Sequence, residues 1–463
     1  MLPTDRPNVV VIMDDQHRHD YLGCAGADFV NTPNIDALAA RGTHFSHCCT
    51  NAPVCGPARI ALATGLLPTR TGTTTNSTSF MPLSAPNHYR HFRDNGYRVE
   101  LVGRHDLAKP GAPASLHGNR PLNFSYGFTR ALEIEGGMAC ARAGSRTGEP
   151  SGPYTVYLKE RGLFERYVED FKGRWDKGWI IGASHDSVLP TEHHQDSFVG
   201  SKAVERIEGQ EDDYPFYMFV SFQGPHDPFD PPTEYAERYR DTAMPDPIPP
   251  DLEGKPRRVH DRHDTFAHAT PADITKARRQ YCAKIELIDA QVGRIVAALD
   301  RRGFLEDTIV VFAGDHGEQL GDHGLFQKHT AYEASVRVPL VMAGPGIPGG
   351  PSDALVELFD VNPTLVDLAA LPPQRRLDAH SFAPMLRGEA AEHREYCVTC
   401  EGGYRGIRTR RHKYIETQND RPELYDLAED PEERHNIADR AEEVARDLSR
   451  KMHSRYTEGR WQR

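Results

Sequence analysis

Short apolar runs recur along this chain, and each closes on polar residues. Val9-Val-Val-Ile-Met13 is nearly uninterrupted, which predicts a strand buried on both faces of a parallel sheet. Tyr97 to Val102, Phe216 to Phe222 and Thr308 to Ala313 are aromatic or β-branched and predict further strands. Between the last two, Ala272 to Leu299 carries helical periodicity. Thr32 to Gly42 reads as a helix, with Thr32 as N-cap, Pro33 in the first turn and Gly42 just past the end. Strands alternating with helices predict an α/β fold, a mostly parallel central sheet sandwiched by helices. In such sheets functional groups gather at the carboxyl ends of strands. Three polar clusters fall at such ends: Asp14-Asp15-Gln16, Gln223-Gly-Pro-His226 and Gly314-Asp315-His316.

Residues 110–195 and 225–270 are rich in Gly, Pro, Asp and His with little periodicity, and are expected to be long loops over the sheet. After Leu371-Pro-Pro373 the text becomes rich in Arg and Glu, with short strands at Gly406 to Thr409 and Lys413 to Ile415 and a final helix over 441–456. The expected division is a catalytic α/β domain over 1–372 and a smaller α+β subdomain over 373–463.

Composition narrows the class. At 463 residues, with 38% hydrophobic and 26% charged residues, the chain suits a globular protein larger than one small core. A net charge of -12 argues against nucleic acid as a partner, though local arginines and lysines can still hold a small anion. No run approaches the roughly 18 apolar residues of a membrane helix. Met1 to Pro7 lacks the apolar core of a secretory signal, so cytoplasmic residence without a membrane partner is expected. Eight cysteines do not suggest a disulfide scaffold. Cys397-Val-Thr-Cys400 is a lone C-x-x-C, read as structural, and Cys48 and Cys49 as packing residues.

One cysteine stands apart. In Cys55-Gly-Pro-Ala-Arg59, followed by Thr64-Gly65, Pro57 suits a first helical turn and puts Cys55 at or just before a helix N-terminus. Backbone N–H groups there favour an anion, and Arg59 lies one turn on. The strand-end pairs Asp15-Gln16 and Asp315-His316 offer the oxygen-rich ligands that a hard divalent cation takes. The C-x-P-x-R…T-G pattern resembles the signature of the type I, formylglycine-dependent sulfatases of the alkaline phosphatase superfamily, and the resemblance covers nearly the whole chain.

The resemblance implies that a formylglycine-generating enzyme oxidises Cys55, and that the hydrated aldehyde supplies the oxygen attacking sulfur. It places a metal on Asp15, Gln16, Asp315, His316 and the modified Cys55. It also makes Lys328, at the end of the Gly314 to Lys328 stretch, a sulfate contact, and His226 the acid that protonates the departing alcohol. Arg59, Arg104 and Lys328 would hold the developing charge. Where the family carries Gly-Lys-x-His, this chain has Gly103-Arg104-His105-Asp106. Arg104 can clamp an oxyanion but not shuttle a proton. Asp106 stands where a histidine would take the second proton, while His105 can instead turn inward, and the sequence leaves both open. Gln16 and His316 are similar to the choline sulfatase and phosphonate monoester hydrolase branches. Calcium is the expected ion, with manganese the alternative that imidazole suits.

The expected activity is hydrolysis of a sugar, alkyl or aryl sulfate monoester. A phosphonate monoester or phosphodiester hydrolase with the same machinery is the alternative, and a non-catalytic sulfate- or glycan-binding relative is the reading from another class. His185, His193, His194 and Asp196 either line a polar pocket or are solvated, and an oligomer is possible.

Overall fold

The computed structural model describes residues 6–109, 115–175, 184–211 and 214–457. Eight strands form the main sheet: β1 (Asn8–Asp15), β2 (Thr43–Cys49), β3 (Arg98–Gly103), β4 (Arg130–Glu133), β5 (Phe216–Pro225), β6 (Thr308–Gly314), β7 (Leu340–Ala343) and β8 (Gly350–Glu357). Their order is β4-β3-β5-β1-β6-β7-β2-β8. All neighbours pair in parallel except β7, which runs against both β6 and β2. β1 is central: Val9 is registered with Tyr217 of β5 on one side and Ile309 of β6 on the other.

Helices cover both faces, which explains the unbroken apolar run in β1. Val9, Val11 and Met13 enter one core, and Val10 and Ile12 enter the other. Each such side chain, fully buried, stabilises the fold by about 1.5–3 kcal/mol. The long helix Pro271–Arg301 starts at a capping box between Thr270 and Asp273 and lies on the second core. Its Gly293 lets it close on the Pro33–Ala40 helix, since a Cβ there would come within 2.2 Å of Asn34 Oδ1.

The expected long loops carry several helices among irregular stretches. Helices span Gly137–Thr147, Pro153–Glu160, Phe164–Trp175, Thr233–Arg238 and Arg257–Phe266, with β4 before them. Arg257–Phe266 buries only Val259 and Phe266, so its apolar stripe is too sparse to read against eight polar neighbours.

The C-terminal strands β9 (Tyr396–Glu401), β10 (Tyr404–Thr409), β11 (His412–Thr417) and β12 (Glu423–Asp426) make an antiparallel sheet in the order β12-β11-β10-β9. The helix Glu442–Thr457 packs on it through Leu448, Met452 and Tyr456, in a cluster that also takes in Ala61, Leu67 and Phe359. Among the described residues no helix is long and apolar enough to cross a membrane.

Candidate active site and metal centre

Four buried side chains meet at the carboxyl edge of the sheet. Asp15 closes β1, Asp315 and His316 follow β6, and Cys55 is the first residue of the helix Cys55–Thr64. One ligand atom from each lies within 4.8 Å of all the others. Cys55 Sγ is 3.1 Å from His316 Nε2 and 3.4 Å from Asp15 Oδ1. His316 Nε2 is 3.6 Å from Asp15 Oδ1 and 3.7 Å from Asp315 Oδ1.

Arg59 sets this geometry. Its Nη2 donates to Asp15 Oδ2 at 3.1 Å and its Nε to Asp315 Oδ2 at 2.7 Å. One oxygen of each carboxylate is thereby held, and the other faces His316. Arg59 Nη1 donates to Ser221 Oγ at 2.6 Å and to the Arg104 carbonyl at 2.8 Å. The guanidinium expected to hold the developing charge therefore holds the two acidic ligands. Two carboxylates and an imidazole nitrogen beside the Cys55 side chain suit a hard divalent cation that tolerates nitrogen.

The charges around the centre are polarised. Burial and Asp15 oppose ionisation of Cys55, but Lys109, Lys328 and His316 outweigh them and hold the thiol well below its ordinary range. Burial works against protonation of His316, yet Asp315 and Cys55 push it up to about 9. Burial would raise Asp15, and the surrounding His226, Arg59 and His316 bring it well down.

Gln16 follows Asp15 at the end of β1. It has a left-handed backbone (φ 72°), its N–H donates to Asp315 Oδ1 at 3.0 Å, and its Oε1 accepts from Lys328 Nζ. Its Nε2 donates to Glu318 Oε2. Lys328 Nζ also meets His226 Nε2 at 2.7 Å. Lys328 and His226, far apart in sequence, thus sit together on the rim. The His226 N–H donates to the Asp15 carbonyl at 3.0 Å, tying the histidine to the end of β1. Lys284 Nζ holds the His226 and Pro228 carbonyls, each at 3.0 Å.

The Gly103 to Lys109 segment resolves the alternatives left open. His105 turns inward: its Nε2 faces Asn123 Oδ1 at 3.1 Å and Glu133 Oε1 at 3.3 Å, and its ring stacks on Phe128. Asp106, at φ 56°, is clamped between Arg104 Nε and Lys109 Nζ, the latter at 2.8 Å. Burial alone would raise its carboxyl, but Arg104, Lys109 and Arg59 hold it far below the usual range. Asp106 is thus the carboxylate that Arg104 and Lys109 share. Asp196 and His194 are buried; Asp196 Oδ1 accepts from the Gln223 and Gly224 N–H groups at 3.0 Å, clamping the end of β5. His193 meets the Tyr157 hydroxyl at 2.7 Å, and His185 meets the Asp186 carbonyl at 2.7 Å.

Several residues near the site carried no sequence signal. Asn76 Oδ1 accepts from the Gly56 N–H at 3.1 Å, at the helix N-terminus beside Cys55. Ser221 lies within β5, and Lys109 lies beyond the motif. Only a non-local pairing, the antiparallel bridge between Phe80 and Ala108, sets Lys109 beside the Asn76 to Ser79 turn.

The sulfatase family pattern matches residues 7–371, and that of the N-sulphoglucosamine sulphohydrolase C-terminal region matches 321–461. A choline-sulfatase from Rhizobium meliloti is 28% identical, over 95% of this chain and 83% of its own. An arylsulfatase from Clostridium perfringens is 27% identical, over 98% and 95%. The crystal structure of a phosphonate monoester hydrolase from Agrobacterium radiobacter superposes with a TM-score of 0.81 at 26% identity, covering 98% of this chain and 96% of that one.

Proposed function

Because the chain belongs to the sulfatase family and is a sulfuric ester hydrolase, we propose that it cuts the sulfate monoester of a sugar, alkyl or aryl compound, using formylglycine made from Cys55. The observation that carries this reading is the convergence of Cys55, Asp15, Asp315 and His316 within 4.8 Å at the sheet edge. The cation these residues would hold is calcium, with manganese the alternative that His316 supports, and it would supply Lewis acidity toward the sulfate and the attacking oxygen. The formylglycine hydrate supplies that oxygen, and its collapse to the aldehyde releases sulfate without water attacking sulfur.

The chain's own residues do the rest. Arg59 fixes the two acidic ligands. Lys328 offers its ammonium to the sulfate, and Gln16, on that ammonium, orients it. His226, raised above its ordinary range because Asp227 and Asp15 outweigh burial and Lys328, is placed to protonate the leaving alcohol at its ester oxygen. Having lost that proton, its Nε2 can accept the one released when the hydrate collapses. Asp106 anchors Arg104 and Lys109. Maturation requires a formylglycine-generating enzyme, which fits the proposed cytoplasmic residence, and we take 1–372 and 373–463 as the two structural units.

A phosphonate monoester or phosphodiester substrate is the second reading, favoured by the close superposition on the phosphonate monoester hydrolase. The test is expression beside a maturing enzyme, intact-mass measurement of the Cys55 peptide, and turnover of 4-nitrophenyl sulfate, phenyl phosphonate and bis-4-nitrophenyl phosphate. The sulfatase reading expects the aldehyde mass and fastest cleavage of the sulfate. Fast diester cleavage with negligible sulfate turnover would hand the site to the second reading.

A further inference from the structure

Two cations sit on the Gly103 to Lys109 segment and share one carboxylate. Arg104 Nε pairs with Asp106 Oδ1 and its Nη1 reaches Gln223 Oε1 at 3.4 Å. The guanidinium also packs on Gly136, where a Cβ would come within 2.0 Å of Nη1. Lys109 carries the second charge. Among the described residues its Nζ has Asp106 Oδ2, at 2.8 Å, as hydrogen-bond partner. An ammonium has three N–H groups, so two remain for another acceptor.

Its placement brings it to Cys55. The Lys109 N–H donates to the Ser79 carbonyl at 2.9 Å, and the Met81 N–H to the Leu107 carbonyl at 2.7 Å. Ser79 in turn packs on Gly56, where a Cβ would come within 2.3 Å of Ser79 Oγ. Lys109 is therefore registered on the turn that covers the helix N-terminus carrying Cys55.

The anchor between the two cations is also unusual. Asp106 adopts φ 56°, a left-handed conformation that costs a non-glycine residue roughly 1 kcal/mol or more. An ordinary surface ion pair, worth about 0–1 kcal/mol, does not explain why the backbone holds it. The strained turn directs one oxygen to each cation, which fixes where the Lys109 ammonium stands.

We infer that Lys109 is the second cation of the sulfate subsite, gripping the ester oxyanion together with Lys328, and that Asp106 is the positioning carboxylate that aims it. This rests on the sulfatase reading of Cys55. The charge expected from Arg104 is thus joined by that of a lysine outside the motif, and the two cations share the Asp106 anchor.

The test has two arms on the full-length chain. In the first, Lys109→Met, Lys109→Arg and Asp106→Asn are matured, their aldehyde content is measured by mass, and kcat/KM for 4-nitrophenyl sulfate is compared at equal content. Loss of a preorganised oxyanion donor predicts a fall of about 10²–10³-fold for Lys109→Met, with partial recovery in Lys109→Arg. Asp106→Asn should fall by about tenfold, as a group that acts through another. In the second arm, binding of inorganic sulfate to Cys55→Ala, with calcium present, is measured calorimetrically with and without Lys109→Met. At least about tenfold weaker binding is expected, at unchanged melting temperature. Lys109→Met with kcat/KM within about threefold of the parent, or undiminished sulfate binding, would overturn the inference. If the matured parent cleaves no sulfate ester, the functional reading fails, and the binding arm still decides Lys109.

Discussion

At the scale of single residues, Arg59 decides whether the candidate metal centre exists at all. Its N–H groups reach Asp315, Asp15, Ser221 and the Arg104 carbonyl. Lysine preserves the charge but is a point donor that cannot span four acceptors. Arg59→Lys is therefore expected to weaken cation affinity by about 10–100-fold, the usual effect of losing a residue that orients metal ligands. A calcium titration of turnover checks this; unchanged half-saturation would remove Arg59 from the centre. His88 gives a pH test away from the site. It is fully buried, Nδ1 donating to the Ala63 carbonyl at 3.2 Å and Nε2 accepting from the Tyr217 hydroxyl at 2.8 Å, and burial pushes it down to about 3. The unfolded chain, with an ordinary histidine near 6.5, binds a proton that the folded chain refuses between about pH 6.5 and 3. This contribution is fully present above 6.5 and is lost as pH falls through that window, by about 1.4 kcal/mol per pH unit. His88→Gln, which can make both hydrogen bonds without titrating, should flatten the pH slope of urea unfolding between pH 6 and 5 by about that amount. An unchanged slope would show that His88 is not the proton acceptor.

At the scale of elements, the helix that begins at Cys55 depends on a close approach rather than on helix propensity. Replacing glycine by alanine inside a helix ordinarily stabilises by about 1 kcal/mol. At Gly56 the added Cβ would stand 2.3 Å from Ser79 Oγ and 2.5 Å from Ser79 Cβ, so the Asn76 to Ser79 turn must move. Gly56→Ala is thus expected to lower stability by about 1–3 kcal/mol, the cost of overpacking. It should also lower activity, because the turn also holds Lys109. Thermal melts and turnover check both, and a higher melting temperature would show that the turn yields freely. The same contrast separates what the sequence reveals from what it hides. β1, β5 and β6 were legible because strands buried on both faces read as unbroken apolar runs. β2 was not: Thr43-His-Phe-Ser-His-Cys-Cys49 mixes polar and apolar residues and is only partly buried. The helices over 137–175 hid behind glycines and charges. Cys55, Asp15, Asp315, His316, His226 and Lys328 were visible by motif position, and the structure gathers them. The fate of Arg104, His105 and Asp106 was not, because pairing with Gln223, Glu133 and Lys109 is set by tertiary packing.

At the scale of the whole molecule, the C-terminal sheet is bound into the catalytic layer by core and by charge. Val398, Ile407, Tyr414 and Leu424 share a cluster with Ala61 in the Cys55 helix, with Leu67 just beyond it, and with Phe359. Nearby, Glu333 pairs with Lys413 at 2.6 Å and with Arg408 and Arg337 at 3.2 Å each, and Lys413 also meets Glu433 at 2.7 Å. Glu333 belongs to the large unit, and its buried cations come from the small one. Removing one side of such a pair leaves an uncompensated buried charge, costing about 3–5 kcal/mol. Baring the apolar cluster adds about 1.5–3 kcal/mol for each large side chain returned to water. Together these approach the 5–15 kcal/mol by which whole domains are typically stable. Residues 1–372 expressed alone are therefore expected to be insoluble or to lack a cooperative melt, while the full chain unfolds in one transition. Glu333→Gln tests the charge component separately: it keeps an acceptor, removes the negative charge that three cations share, and should lower the melting temperature without bringing the two units apart. A soluble 1–372 fragment with a sharp melt and full activity would show that the small sheet only caps the enzyme and takes no part in holding the Cys55 helix.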